Sequence, residues 1–229
     1  MEIIMPAYNC ADTIGRALDS LVNQTNQNFT VLIIDDCSSQ DIYSIIKQYQ
    51  DKLNIRYIRN ETNVGCGMSR QRGIDETTAD YIAFLDSDDQ LLPDAIDLWL
   101  REIEDRHPDA IYSPWIRMLS YMTIKQLPHP LGMCHGKVYN VEFLRKYDIM
   151  ESPEIKCKDD LYLNLQVFDL AKNVSILKTS TYLYIDNKSS VTKQRWFAIR
   201  CMEEAKIIDD LVSKHIAFFK DNPLEQYRA

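Results

Sequence analysis

The chain predicts an α/β fold built on a doubly wound, mostly parallel sheet. Three observations carry this. Short apolar runs alternate with stretches of helical period over residues 1–106. Four such strand–helix units in series place the strands parallel, because each helix must cross back over the sheet. Three of the four runs end in polar turns, at Asn9, at Asp35-Asp36 and at Asp86 to Asp88. Parallel strands put those turns on one edge, the edge where open α/β sheets bind ligands.

Ile3-Ile4-Met5 reads as the first strand and Pro6-Ala7-Tyr8-Asn9 as its turn. Ile14, Leu18, Leu21 and Val22 then recur at helical spacing. Phe29 to Ile34 is the second strand, after which Ser38 or Ser39 can cap a helix whose apolar face is Ile42, Ile45, Ile46 and Tyr49. Ile55 to Ile58 is a third, short strand, and Gly65 to Ile74 is a glycine-rich entry into a helix. Tyr81 to Leu85 is a buried fourth strand. Pro93 suits the first position of the next helix, whose stripe is Ile96, Trp99 and Ile103.

Beyond residue 107 the pattern loosens. Ala110 to Tyr112, Val174 to Leu177 and Tyr182 to Ile185 read as short strands, and Val141 to Tyr147 and Leu161 to Leu170 as helices. Leu119 to Met133 has no clean period. Trp196 to Phe219 reads as a long helix with Ile207, Ile208, Leu211, Val212 and Phe219 on one side. No repeat, linker or low-complexity tract divides the chain, so one domain over residues 1–229 is expected, with residues 1–106 and 107–229 as its two halves.

At 229 residues the chain suffices for one substantial core. Its 45% hydrophobic and 26% charged content is that of a globular protein. A net charge of -8 argues against a general nucleic-acid binder, which would carry a basic face. The cysteines at 10, 37, 66, 134, 157 and 201 form no CxxC pair and no zinc spacing. Such scattered thiols read as small buried hydrophobes in a reducing cytosol. The chain enters a strand at Glu2 without a signal-peptide pattern, and no apolar run approaches the roughly 20 residues of a membrane span. A cytoplasmic protein is the expectation. The apolar stripe of the last helix fits core or homodimer packing, with peripheral contact at the inner membrane face as the alternative.

Asp86-Ser87-Asp88-Asp89 gathers three carboxylates at the end of the fourth strand. Such groups repel one another unless a cation neutralises them. Hard divalent ions prefer oxygen donors, and Mg²⁺ often shares its sphere with substrate phosphates. The chemistry implied is a metal that holds a phosphorylated substrate; a solvated acidic turn is the bland alternative. A calcium loop counted from Asp86 would need glycine where Leu91 stands. Gly65 and Gly67 permit tight backbone, but the Lys-Ser/Thr ending of a Walker loop is missing. No GxGxxG follows the first strand, as a dehydrogenase would require.

Four segments, in order and at matching spacing, resemble the motifs of the family 2 glycosyltransferases. They are Met5-Pro6-Ala7-Tyr8-Asn9, Ile33 to Ser38, Asn63-Val64-Gly65 through Gly73, and Phe84-Leu85-Asp86-Ser87-Asp88-Asp89. Lys158-Asp159-Asp160 looks like that family's "ED" element, and Tyr184 with Ser189-Ser190-Val191 looks like its tail motif. The resemblance implies a GT-A, Rossmann-like sheet with an acceptor-binding second half. It implies a UDP-sugar donor, a saccharide or lipid-linked acceptor, inversion at the anomeric carbon, and a setting in surface-polysaccharide assembly.

The resemblance also implies roles for single residues. Asp88 would hold Mn²⁺ or Mg²⁺ against the diphosphate, and Asp86 would hold the ribose or the sugar hydroxyls. Asp36 would accept from the uracil ring N–H, Tyr8 would pack near the uracil, and Pro6 would shape the turn. Arg70 would reach the phosphates or fix an acid near the metal, with Arg72 as the competing arginine; Ser69 and Gln71 depart from the common motif. Asp160 would be the catalytic base, on the side away from the diphosphate and kept ionised by a helix N-terminus. Asp159 stands where the family more often has Glu. Lys188, Ser189 and Ser190 would order over the diphosphate. His135 and Trp115 are candidate acceptor contacts, with packing as the alternative. A nucleotidyltransferase on a related sheet would want an early basic glycine-rich loop, and only Arg16 lies near. A non-catalytic nucleotide- or sugar-binding protein is the other alternative.

Overall fold

The computed structural model describes residues 1–118, 123–126, 133–155 and 158–186, with Lys206, Ile207 and Asp210. In chain order the elements are β1 (Glu2–Ala7), α1 (Ile14–Val22), β2 (Thr30–Asp35), α2 (Tyr43–Ile46), β3 (Ile55–Arg59), α3 (Cys66–Glu76), β4 (Tyr81–Phe84) and β5 (Gln90–Leu91). Then follow α4 (Ala95–Arg106), β6 (Ala110–Tyr112), β7 (Trp115–Met118), β8 (Thr123–Gln126), β9 (Lys137–Asn140), α5 (Val141–Lys146), α6 (Asp159–Leu170), β10 (Val174–Ile176) and β11 (Tyr182–Ile185).

The main sheet has the order β10-β6-β9-β4-β1-β2-β3. β1 pairs in parallel with both β2 and β4, and β2 with β3. β9 is antiparallel to its neighbours β4 and β6. β1 is buried along its whole length because it is central and covered on both faces. Successive strand residues point to opposite faces. Ile3 and Met5 therefore join Ile14, Leu18 and Leu21 of α1 in one cluster. Ile4 joins Ile34, Phe84, Tyr139 and Leu163 in the other. Each such buried side chain contributes roughly 1.5–3 kcal/mol. With both faces covered, a ligand meets the sheet at its edges, and the carboxyl edge carries the polar turns.

A second sheet, β5-β11-β7-β8, stands beside that edge. β5 begins at Gln90, immediately after the acidic turn, and pairs antiparallel with β11. β11 runs parallel to β7, which pairs antiparallel with β8.

The alternating first half is as expected, with local differences. β1 continues through Pro6 and Ala7, paired with Ile34 and Asp35, so the turn begins at Tyr8. α4 starts at Ala95, two residues beyond Pro93, whose carbonyl accepts from the Thr25 N–H at 2.9 Å. Neither Ser38 nor Ser39 caps α2. Ser38 Oγ accepts from the Asn9 N–H and the Ser39 N–H is bound by Asn9 Oδ1, while Asp41 takes the Ser44 N–H at the helix start. With its first residues engaged elsewhere, the second helix shrinks to the single turn of α2 and a 3-10 turn at Lys47–Tyr49.

β7, β8 and β9 have no counterpart in the sequence pattern. Each carries a charged residue within its four positions, and β9 is a central strand buried at three of them, so none shows an apolar run or a clean alternation. The expected Lys188–Ser190 segment lies outside the described residues. So does the expected helix from Trp196 to Phe219, apart from Lys206, Ile207 and Asp210, which are helical. Among the described residues no helix is long and apolar enough to cross a membrane.

Candidate active site

The carboxyl ends of β1, β2 and β4 bring together Tyr8-Asn9, Asp35-Asp36 and Asp86 to Asp89. Asn9 takes a left-handed backbone, φ 47°, which its short polar side chain tolerates. Its Oδ1 accepts from the N–H of Ser39 at 2.8 Å, tying the first loop to the second. Tyr8 beside it is 52% exposed, an aromatic ring standing free over the edge, whereas Pro6 is buried within β1.

Asp35 is fully buried and accepts from the Ser38 N–H at 2.9 Å, the Tyr57 hydroxyl at 2.5 Å and the Arg59 guanidinium. Burial pushes its carboxyl up, but these hydrogen bonds outweigh burial and hold it below the usual range. Asp36 is also buried. Its Oδ1 accepts from Asn60 Nδ2 and the Val64 N–H, and its Oδ2 from the Gly65 N–H, each at 2.8 Å. Asp36 thus holds the entry of α3, where Gly65 needs φ 93°. Nothing in the sequence alone signals this structural task.

α3 delivers Arg70 to the middle of the site. A Cβ on Gly67 would lie 2.8 Å from Asp159 Cβ, so only glycine allows α3 this close to the start of α6. Arg70 Nη2 donates to Asp86 Oδ1 at 2.8 Å, and Nη1 donates to Asp159 Oδ2 at 2.6 Å and Asp160 Oδ1 at 2.5 Å. Its side chain is 4% exposed, with the guanidinium carbon 5.6 Å from the Phe84 ring centroid. Arg72 turns away and donates to the Arg59 carbonyl and to Asn60 Oδ1. The arginine facing the acids is therefore Arg70.

One guanidinium among three carboxylates leaves the region electronegative. Burial pushes the Asp86 carboxyl up, but Arg70 and then His135 hold it far below the ordinary range. Burial pushes Asp159 up to about 6 against the pull of Arg70, and Asp160 adds to the rise. Asp160 sits at the N-terminus of α6, and its backbone carbonyl accepts from Asn164 Nδ2 at 2.6 Å. Behind this pair lies Glu151, 3% exposed, with neither carboxyl oxygen hydrogen-bonded among the described residues. Burial first, and then Asp159, push it well above its ordinary value. Lys137, also buried, is drawn down to about 8 by burial.

At the acidic turn, single ligand atoms of Asp86, Asp89 and His135 lie within 4.8 Å of one another. His135 Nε2 is 3.5 Å from Asp86 Oδ2 and 3.6 Å from Asp89 Oδ2. Two carboxylates and an imidazole are a donor set that suits a divalent ion such as Mn²⁺. Asp89 also anchors the second sheet, accepting from the Tyr182 hydroxyl at 2.7 Å and the Ile185 N–H at 2.8 Å. Burial pushes its carboxyl up to about 7, with His135 opposing and Asp86 adding. Asp88, the metal ligand expected from the sequence, is half-buried at the tip of the turn and outside this cluster. Its backbone carbonyl accepts from Arg16 Nη2 at 2.5 Å.

The structure thus gathers Asp86, Asp159 and Asp160 around the Arg70 guanidinium, places Tyr8 and Asp88 on the rim of the same edge, and buries Asp36 just after β2. Sequence reasoning missed Asp89 and His135 as partners of Asp86. Asp89 had a signal, as part of the acidic run; His135 had none, since β9 is not visible in the sequence. An open cavity of about 940 Å³ lies at the opposite edge of the sheet, lined by Met1, Tyr81, Ile103 and Arg145 among others, and holds none of the expected residues.

Comparison with known proteins follows the same lines. The chain is 25% identical over 205 residues to the poly(ribitol-phosphate) beta-N-acetylglucosaminyltransferase TarS of Staphylococcus aureus, covering 80% of this chain and 35% of that protein. The chain therefore spans about a third of that relative. A crystal structure of TarS 1–349 in complex with UDP-GlcNAc superposes with a TM-score of 0.76 at 22% identity, over 85% of this chain and 61% of that one. The mannosyltransferase PcManGT of Pyrobaculum calidifontis, in complex with GDP-Man and Mn²⁺, gives 0.69 at 13% identity over 93% of this chain and 64% of that one. These likenesses show the GT-A fold. The sequence pattern of the family described as "Glycosyl transferase family 2" matches residues 2–147, and on that match the chain belongs to glycosyl transferase family 2.

Proposed function

We propose that the chain is an inverting glycosyltransferase that moves a hexosyl or N-acetylhexosaminyl group from a UDP-sugar to a saccharide or lipid-linked acceptor. The observation that carries this reading is Arg70, which links Asp86 of the acidic turn to Asp159 and Asp160 of α6. A phosphate-holding turn and a candidate base thereby face one space. The UDP-GlcNAc named with TarS supports a uridine donor, and the polymer in that protein's name supports a setting in surface-polysaccharide synthesis.

In a single displacement the acceptor oxygen attacks the anomeric carbon, the bond from that carbon to the diphosphate breaks, and the hydroxyl proton passes to a carboxylate. Asp160, at the N-terminus of α6 and bound to the Arg70 guanidinium, takes that proton. Asp36 meets the uracil N–H with the remaining lone pair of Oδ2, and the exposed Tyr8 ring packs near the base. Asp88 and Asp86, at the tip and base of the turn, face the diphosphate and the donor sugar. A divalent ion bound there, Mn²⁺ or Mg²⁺, would neutralise the charge that grows on the leaving diphosphate.

Calorimetric titration with UDP, in Mn²⁺ and in EDTA, tests this. Binding should be tighter in Mn²⁺ than in EDTA. Asp88→Ala should weaken it by about tenfold or more in Mn²⁺ and leave it unchanged in EDTA. Equal UDP affinity of the unaltered protein with and without metal would remove the basis of the proposal.

A further inference from the structure

We infer that the aromatic face of the second sheet, formed by Trp115 and Tyr184, is the subsite that receives a sugar ring of the acceptor. The inference rests on the glycosyltransferase reading above and gives its acceptor a place.

β7 and β11 pair in parallel with Tyr182 opposite Trp115 and Tyr184 opposite Arg117. Strand residues alternate, so Trp115, Arg117, Tyr182 and Tyr184 project from one face of the sheet. His135 lies against that face. Its ring stacks on Tyr182 with centroids 4.4 Å apart and planes 13° apart, and on Tyr184 at 5.2 Å and 28°. Trp115 meets His135 edge-on at 5.2 Å and Tyr184 edge-on at 5.9 Å. The other side of His135 reaches Asp86 Oδ2 at 3.5 Å. The aromatic face is therefore continuous with the acidic turn.

Packing accounts for Tyr182 and His135, which are 0% and 5% exposed. Trp115 and Tyr184 pack against the same core, but only in part, and each stays incompletely buried beside a charged turn. Apolar ring surface in water is unfavourable, and at this place it suits a ligand with both an apolar and a polar side. A pyranose is such a ligand. The C–H bonds on one of its faces carry partial positive charge and meet the negative face of an aromatic ring, while its hydroxyls turn outward.

Groups for those hydroxyls stand at the outer end of the face. The Arg117 guanidinium lies 5.7 Å from the Tyr184 centroid, and its Nη2 is 3.4 Å from Asp186 Oδ1. A nucleotide base is the less fitting occupant, because the uracil is assigned to Asp36 and Tyr8 at the ends of β2 and β1, strands on the far side of β4 from β9.

The full chain, loaded with UDP and Mn²⁺, is applied to an array of immobilised saccharides. The unaltered protein should retain at least one saccharide. Trp115→Ala and Tyr184→Leu should each bind that saccharide about tenfold more weakly, and the ring-keeping Trp115→Phe and Tyr184→Phe should hold it. UDP affinity in Mn²⁺ should stay within about twofold in all four variants. Should Trp115→Ala lose its thermal unfolding transition, Tyr184→Leu decides the same question. No saccharide retained by the unaltered protein, or equal retention by the Ala and Leu variants, overturns the inference. Loss of UDP binding by the unaltered protein would instead sink the glycosyltransferase reading, so the two failures are distinguishable.

Discussion

Arg70 donates from Nη1 to Asp160 Oδ1 at 2.5 Å, although 90 positions separate the two residues. This contact joins the two halves of the chain. It sets a candidate base from the second half against an arginine whose other branch holds the acidic turn of the first.

Removing the guanidinium leaves Asp86, Asp159 and Asp160 without their shared partner. Arg70→Met should lower stability by about 3–5 kcal/mol, read from urea unfolding. Arg70→Lys restores the charge but not the planar fork, so it should recover only part of that loss. An Arg70→Met variant as stable as the parent would show that the cluster does not hold the halves together.

Asp160→Asn keeps the shape of the side chain and removes its basicity. Transfer should fall about 10²–10⁴-fold, while UDP affinity in Mn²⁺ stays within a few-fold. Single-turnover kinetics beside calorimetry separate the two effects. Transfer at the parental rate would assign the base elsewhere, with Asp159 next to be changed.

Glu151 has a pH signature of defined sign. Its folded pKa lies well above the ordinary 4.5 because it is buried and faces Asp159. The folded state therefore holds a proton that the unfolded state releases. The contribution to stability is full below about pH 4.5 and is lost as pH rises, by up to about 1.4 kcal/mol per unit. Glu151→Gln mimics the protonated form and removes this slope. It should be near neutral at pH 5 and should gain on the parent at pH 8, in urea unfolding at both values. Parallel pH profiles for the two proteins would mean that Glu151 ionises as it would in water.

Gly67→Ala would put a methyl group 2.8 Å from Asp159 Cβ. Both are Cβ carbons bonded directly to helix backbone, so α3 or the start of α6 must shift. Such overpacking should cost about 1–3 kcal/mol, and transfer should fall further than stability because Arg70 and Asp160 move apart. A variant with parental transfer would show that this close approach is not needed.

The alternating first half is readable because its signals are local. β1, β2 and β4 announce themselves as apolar runs, and their parallel order alone puts Asn9, Asp36 and Asp86 on one edge. β7 (WIRM), β8 (TIKQ) and β9 (KVYN) give no such signal, since charged or polar residues break each into something other than an apolar run. With β9 unseen, His135 just before it could not be placed beside Asp86.

Local chemistry along the chain settled which residue types gather at the carboxyl edge and which family they resemble. Three-dimensional packing settled which of them touch. Arg70 faces inward while Arg72 turns to Asn60, and Asp86 meets His135 and Asp89 while Asp88 stays at the tip. Glu151 carries no motif and is set apart by what surrounds it. The reason is physical: periodicity and turn preference act between neighbours in the chain. Side-chain direction, burial and charge coupling act through space, between residues that only folding brings near.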